Sequence, residues 1–365
     1  MAVSVKIERT SIRQVAERAG CSLSTVSRVI NRSGPVSADT VRRVEAAVCD
    51  LDFRPNALGQ SLRKQRSRAI GVVVPSFTNP VFAASIAGIE AVARNTGRPV
   101  LLGSTDYDPG REIEVVEALL GQRVDGIALT VADAASSAAL DRLERVGLPY
   151  VLLYNQPRTA QRPAVTVDNF AATAELTCYL IALGHTRIAY LGGRFGTTDR
   201  SRMRFEGCAA ALRAAGVAPP QLLELDYLDS VEDHATVIGR SLSRLGNPTA
   251  LLCSNDLLAI SVIAALRALG LQVPSDVSVA GFDGIAIGRM LSPGLATIDT
   301  PTVEMGERAT RRLLDMLSGA APAGPVVELL PYEFRPGGTL APPPGGNAGR
   351  RERRRRSPQR GSRSQ

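Results

Sequence analysis

The chain has 365 residues, 44% of them hydrophobic, enough for two or three domains with a sizeable core. No uninterrupted apolar run reaches membrane-spanning length and no hydrophobic signal region opens the chain, which argues against a membrane partner and for a cytoplasmic protein. The net charge of +8 is unevenly spread: residues 1–69 carry 13 Lys/Arg against 6 Asp/Glu, residues 341–365 carry 8 Arg against 1 Glu, and the middle is acidic. A basic head on an acidic body suits a chain that touches nucleic acid with one end, although charge alone does not separate DNA from RNA or an acidic membrane.

After an arm over residues 1–10, the stretch SIRQVAERAGCSLSTVSRVIN splits into two short helices. In the first, Ile12, Val15, Ala16 and Ala19 share an inward face. Ser11 and Gln14 have the spacing of a capping box, and Gly20 ends the helix. Ser22 caps a second helix over 23–30, with Val26, Val29 and Ile30 inward and Leu23, Ser24, Ser27 and Arg28 outward. Two helices joined by such a turn form a helix-turn-helix, whose second helix can enter the major groove. By spacing alone an ordinary helical hairpin explains the stretch equally well. Ser37 caps a third helix through Cys49, with Val41, Val44 and Val48 inward.

The next motif is Phe53-Arg54-Pro55-Asn56-Ala57-Leu58-Gly59-Gln60-Ser61-Leu62-Arg63. The pattern I-x-x-V-A-x-x-A-G-C-S-x-S-T-V-S-R-V-I-N followed by F-R-P-N-A-L-x-x-S-L-R resembles the head and hinge of the lactose-repressor family of bacterial transcription regulators. The match is close over the first seventy residues and looser to about Leu340. The resemblance implies a homodimer on double-stranded, pseudo-palindromic operator DNA, controlled by a small-molecule effector. Leu23, Ser24 and Arg28 would face base edges or nearby phosphates. Ser22, Thr25, Ser27 and Asn31 would position the helix on phosphates. Pro55 would start a hinge helix from Asn56 to about Leu62, and Leu62 would wedge into the minor groove and kink the duplex. Gly59 stands where relatives usually have Ala, at a helix cost of about 0.8–1 kcal/mol, so the hinge should order only on DNA.

After the linker KQRSR, short apolar runs and helical stretches alternate. Strands are expected at 69–75, 99–103, 125–130, 149–154 and 165–168, with helices at 82–95, 110–122 and 135–146. A second alternation places helices at 170–183, 202–215, 235–245 and 256–269, and strands at 187–191, 222–227, 250–254 and 277–282. Such alternation implies parallel sheets with right-handed crossovers. The fold class is therefore α/β, with an all-α helix-turn-helix head. The resemblance implies a two-lobed periplasmic-binding-protein-like core, with the chain crossing between lobes near Asp168, Ala296–Pro301 and Pro331, and a helix at 302–317 back on the first lobe. The division expected is a head at 1–58, hinge and linker at 56–68, and an effector-binding and dimerisation core at 69–340. Lobe one takes 69–168 and 299–330; lobe two takes 169–298 and 331–340. Residues 341–365 are rich in Pro, Gly, Ser and Arg and are expected to form a disordered basic tail without a leucine-heptad tetramerisation element.

The material for catalysis is poor, and no catalytic residue, cofactor or metal site is assigned. Of two histidines, His185 is expected to make a structural hydrogen bond at a helix-to-strand turn, and His234 to be solvated in an acidic loop. Cys21, Cys49, Cys178, Cys208 and Cys253 lack C-x-x-C and metal spacing and are expected to be buried reduced thiols. A phosphate loop and a Gly-x-Ser-x-Gly elbow are absent, and Leu191-Gly-Gly-Arg-Phe-Gly lacks dinucleotide spacing. Binding fits better, because ligands of open α/β sheets sit beyond the carboxyl ends of strands. Asn79, Asn155, Asn255 and Asp283 follow such ends, Phe82 would supply an apolar wall, and Arg204 opens a helix. Asp256 serves equally well as a helix cap, as does Asn79. The family patterns R-x-x-G at Arg204 and G-[YF]-D at Asp283 imply an arginine and an acid in the effector pocket. The competing reading is a small-molecule-binding protein or enzyme whose N-terminal helices are incidental.

Overall fold

The structure, a computed structural model, describes residues 10–31, 33–53, 67–157, 162–320 and 327–344. The hinge positions Asn56, Gly59 and Leu62 lie outside the described residues, as does the tail beyond Pro344. The chain forms two compact units, 1–67 and 68–365.

In the first unit, α1 (Ile12–Ala19), α2 (Leu23–Asn31) and α3 (Ala38–Asp50) enclose a small core. Ser11 and Gln14 complete their capping box, and Gly20 takes the left-handed conformation (φ 61°) that ends α1. Ser22 Oγ accepts from Thr25 N at 3.2 Å, and Ser37 caps α3. Val15, Ala16, Ala19, Val26, Val44, Ala47 and Phe53 are buried together, with Val29, Ile30 and Val48 packed around them. Ile12 departs from its expected inward place: it is 37% exposed.

The second unit holds two six-stranded sheets. In lobe one, β1 (Ile70–Val74), β2 (Val100–Ser104), β3 (Gly126–Leu129), β4 (Tyr150–Leu153), β5 (Ala164–Val167) and β11 (Val327–Leu330) run parallel in the order β11-β5-β4-β3-β1-β2. In lobe two, β6 (Ile188–Gly193), β7 (Gln221–Leu225), β8 (Ala250–Cys253), β9 (Ser278–Asp283), β10 (Ala296–Asp299) and β12 (Glu333–Arg335) follow the order β12-β10-β9-β8-β6-β7, with β12 antiparallel. β1, β3, β4 and β5 are buried throughout, which explains why they lack charged residues and do not alternate polar with apolar.

The helices between strands are α4 (Pro80–Asn95), α5 (Pro109–Gly121) and α6 (Ala138–Val146) in lobe one. Lobe two has α7 (Asn169–Ala182), α8 (Asp199–Ala214), α9 (Val231–Ser241), α10 (Asp256–Ala268) and the five-residue α11 (Ala286–Met290). The chain crosses between lobes from β5 to α7, from β10 to α12 (Thr302–Ser318), and from β11 to β12. α12 returns to lobe one and packs on α4 backbone to backbone: a Cβ on Gly88 would strike the Val303 carbonyl, and one on Gly306 the Ser85 carbonyl. Gly207 of α8 meets Phe170 of α7 in the same way. In each sheet the strand order reverses at the first strand of the lobe, β1 or β6, and the crevice for a ligand lies beyond the carboxyl ends at that switch point.

Three sequence expectations need correction. His234 is not solvated: it is 2% exposed, its Nδ1 2.7 Å from Ser261 Oγ and its Nε2 3.0 Å from the Asp226 carbonyl. The capping box of Ser230 and Asp233 starts α9 earlier than expected, which turns His234 toward α10. Only Cys208 and Cys253 are buried; Cys49 and Cys178 are exposed on helices, Cys21 is half-buried, and all five are free thiols. The tail does not part from the core at 341, since His185 Nε2 lies 2.9 Å from the Ala341 carbonyl and Ser278 Oγ donates to it at 3.0 Å. His185 itself is structural: it is buried, its Nδ1 meets Thr249 Oγ1 at 2.9 Å, and burial lowers its pKa.

Candidate functional site

On the head, the exposed side of α2 carries the residues that sequence reasoning selected. Leu23 is 44% exposed, and Ser22, Ser24, Arg28 and Asn31 are exposed. Thr25 and Ser27 are half-buried. Ser22 Oγ lies 2.8 Å from Ser24 Oγ and 2.9 Å from Thr25 Oγ1, so the three hydroxyls form one cluster at the start of the helix. Asn31 Nδ2 donates to the Ser27 carbonyl at 2.8 Å and to Ser27 Oγ at 3.1 Å, which fixes the far end of the row. Among the described residues no carboxylate pairs with Arg28. A helix N-terminus with small hydroxyls and a free guanidinium further along can dock on phosphates and reach a base edge.

In the core, the ends of β1, β2 and β4 in lobe one face the ends of β6, β8 and β9 in lobe two across a polar cleft. Asn79 caps α4 by accepting from Val81 N at 3.2 Å, and its Nδ2 donates to Tyr107 Oη at 3.5 Å. Phe82, one turn on, is buried with its ring edge-on to Tyr154 (5.4 Å between centroids). The Tyr107 ring reaches across to Tyr227 of lobe two at 5.0 Å, and Tyr227 Oη hydrogen-bonds Ser254 Oγ at 2.6 Å. Tyr107 and the preceding Asp106 both take positive φ, a costly backbone for such residues that is common at binding sites.

Arg204 donates from Nε to Asn169 Oδ1 at 2.8 Å and from Nη1 to the Ser254 carbonyl, and its Nη2 lies 3.6 Å from Asp283 Oδ1. Its guanidinium carbon sits 3.5 Å from the Phe282 ring centroid. Asp283 ends β9 at φ 115°, its carbonyl held by Thr300 Oγ1 at 3.1 Å. Burial pushes its carboxyl up to about 6 despite the attraction of Arg204. Asp256 is not the cap of α10: Asn255 is, accepting from Leu258 N at 2.7 Å. Asp256 is wholly buried and accepts from Thr297 Oγ1 at 2.6 Å and Ile285 N at 2.8 Å, which fixes the loop behind Asp283.

Five of the six expected residues therefore converge: Asn79, Phe82, Arg204, Asn255 and Asp283 line one inner cleft. Asn155 does not line it. Its amide is wholly buried, accepting from Val131 N at 2.9 Å and donating to Asp199 at 2.9 Å, so it ties the lobes together. Asp199 also accepts from Ala134 N at 3.0 Å, and its own N donates to the Ala132 carbonyl at 2.7 Å. Tyr154, which also follows a strand end in the sequence, lines the same wall, and sequence reasoning missed Tyr107, Thr198, Arg200, Ser201 and Tyr227 there. The strand-end rule would have reached Thr198 to Ser201 had the helix after β6 been started at Asp199 rather than Arg202. The cleft continues outward into a chamber of about 350 Å³ between Thr78 of lobe one and Leu228, Val231, Leu257, Ile260 and Ala264 of lobe two.

No group of acids, histidines and cysteines among the described residues could hold a metal ion, and no helix among them is long and apolar enough to cross a membrane. Two parallel-sheet lobes that meet around aromatic rings, an acid and two arginines define a small-molecule-binding core. Residues 177–340 match the model of the periplasmic binding protein-like domain, and residues 11–56 match that of bacterial regulatory proteins of the lacI family. The chain is 33% identical to the HTH-type transcriptional regulator GntR of Escherichia coli K12 over 336 residues, 92% of this chain and 100% of that protein. It is 33% identical over 310 residues to the ribose operon repressor of the same organism, covering 84% of this chain and 93% of that one. The crystal structure of the lac repressor dimer bound to operator and the anti-inducer ONPF matches with a TM-score of 0.79 at 29% identity, over 92% of this chain and 100% of that chain. The chain belongs to the lacI family of bacterial transcription regulators.

Proposed function

We propose that the protein represses transcription in the cytoplasm as a homodimer on a pseudo-palindromic operator, and that a sugar or related metabolite in the interlobe cleft controls it. The observation that carries this reading is the exposed face of α2, on a head whose buried core is its own. Leu23, Ser24 and Arg28 read base edges; Ser22, Thr25, Ser27 and Asn31 place the helix on phosphates. Asn56 and Leu62 act in the hinge. Asn79, Phe82, Asn255 and Asp283 bind the effector, and Arg204 holds Asp283 in place. The relatives support the two halves of the reading. A lac repressor dimer binds operator, and a LacI family regulator from Enterococcus faecium binds ribose at 27% identity and a TM-score of 0.65. The chain acts by binding, without catalysis.

The test is a gel-shift titration of the full chain on DNA from its own promoter region, with and without a panel of sugars and sugar derivatives. The expected result is specific binding that one class of compound alters. Equal affinity for promoter and random DNA would overturn the reading.

A further inference from the structure

The two arginines of the inner cleft are not equivalent. Every nitrogen of Arg204 faces an acceptor of the protein itself, and Phe282 covers one side of its guanidinium. Arg200, one turn earlier on α8, is only 6% exposed, yet its Nη1 alone is engaged, with the Val131 carbonyl at 2.8 Å and Asp199 Oδ1 at 3.3 Å. Among the described residues no acceptor bonds its Nε or Nη2, and the side chain lines the cleft beside Tyr107, Tyr154 and Asp283. Asp199 does not fill that vacancy, because its two oxygens already accept from Asn155 Nδ2 and from Ala134 N. The N-terminus of the 16-residue α8 lies at the same place, and its dipole adds to the preference for negative charge.

A nine-tenths buried guanidinium with one open edge calls for a planar anionic partner, and a carboxylate matches that edge with two parallel bonds. Asp283 is the one carboxylate among the residues lining the inner cleft, and its loose 3.6 Å pairing with Arg204 leaves it lone pairs for hydroxyl donors. Asn255 Oδ1 is held by the cap of α10, but its Nδ2 has no partner among the described residues and can donate to a ligand oxygen. We infer that the effector is a polyhydroxylated carboxylic acid: the inner cleft, with about 30 Å³ free, takes its carboxylate on the open edge of Arg200, and its hydroxyls run past Asp283 and Asn255 into the outer chamber. This rests on the cleft being the effector site. A phosphate ester brings nearly two charges next to Asp283, against a single open arginine edge, and fits less well.

The experiment is calorimetric titration of the full chain with aldonic and uronic acids, the uncharged amides of the same acids, the parent neutral sugars and their phosphate esters. One acid should bind, and its amide should bind roughly ten- to hundredfold more weakly, the loss expected for a charged hydrogen-bonded pair. Arg200→Gln should remove most of the difference between the acid and its amide. Arg200 also holds the Val131 carbonyl, so the acid–amide comparison in the wild-type protein stands apart from any folding defect of the variant. An amide or neutral sugar that matches its acid overturns the inference and leaves the cleft as the effector site. Preference for a phosphate ester overturns the carboxylate assignment. Silence across the whole panel, with operator binding intact, overturns both the inference and the sugar-class reading of the cleft.

Discussion

Helix α2 of the head and helix α8 of the core both carry polar side chains to which we assign binding, and they are built in opposite ways. On α2 the hydroxyls and the amide bond to each other and to their own helix, and Arg28 is exposed. On α8, Asp199, Arg200 and Arg204 are buried and bond to segments of both lobes, so the binding wall is also part of what holds the lobes together. An exposed surface of the first kind is free to vary without unfolding anything. A buried wall of the second kind ties recognition to stability, because removing a partner leaves another polar group unsatisfied.

Arg204→Ala is the strongest probe of that contrast. It strands Asp283, Asn169 and the Ser254 carbonyl in a buried setting, and should cost the core about 3–5 kcal/mol along with the effector response. Urea unfolding of full chain and variant measures it; an unchanged core midpoint would mean the network is slack. Arg28→Ala is the counterpart on the head. Operator affinity should fall by about 1–3 kcal/mol while unfolding of both units stays as in the wild type. A loss of head stability in that variant would show that α2 is not the free surface described here.

A change of pH separates the two regions without mutation. Burial raises the Asp283 carboxyl to about 6, and in the proposed complex ligand hydroxyls donate to its ionised form. Effector affinity should therefore be full above pH 6 and decline as the pH falls through it, approaching tenfold per unit, with Asp283→Asn showing no such step. The same raised pKa means that the native core binds the extra proton between the ordinary carboxylate value of 3.8 and about 6, so this group favours folding most at the low end of that window and least above it. The smallest effect is expected from Ser11→Ala. Losing this cap should take about 1 kcal/mol from the head alone, read as a lower first transition on heating with the core transition unmoved.

The head was legible in the sequence because its signals are local. Ser11 with Gln14, Gly20, Ser22 and Ser37 mark helix ends by chemistry that acts within four residues. The long elements of the core were legible through their apolar runs, and the strand-end rule found Asn79, Asn255 and Asp283. What escaped depends on contacts across the fold. β12 and α11 are too short to carry a period, and β11 alternates too weakly. Asn155 looks like a pocket residue in sequence, yet its amide meets Val131 and Asp199, 24 and 44 positions away. Tyr107 and Tyr227 meet across 120 residues, and no spacing rule connects them. His234 was misjudged because its acidic neighbours in sequence point away from the α10 surface on which it packs.

The glycine seams have a mechanical consequence. At Gly88 and Gly306, where α4 and α12 touch through their backbones, and at Gly207, which does the same for α8 on α7, no side chain separates the helices. These seams leave little room for shear inside a lobe, so any rotation of one lobe against the other would fall to the connections from β5 to α7, β10 to α12 and β11 to β12. With the compliance gathered there, a few degrees of rotation at the cleft become a displacement that grows with distance from those connections. The far edge of a lobe then works as the long arm of a lever, delivering travel while the interior keeps its shape.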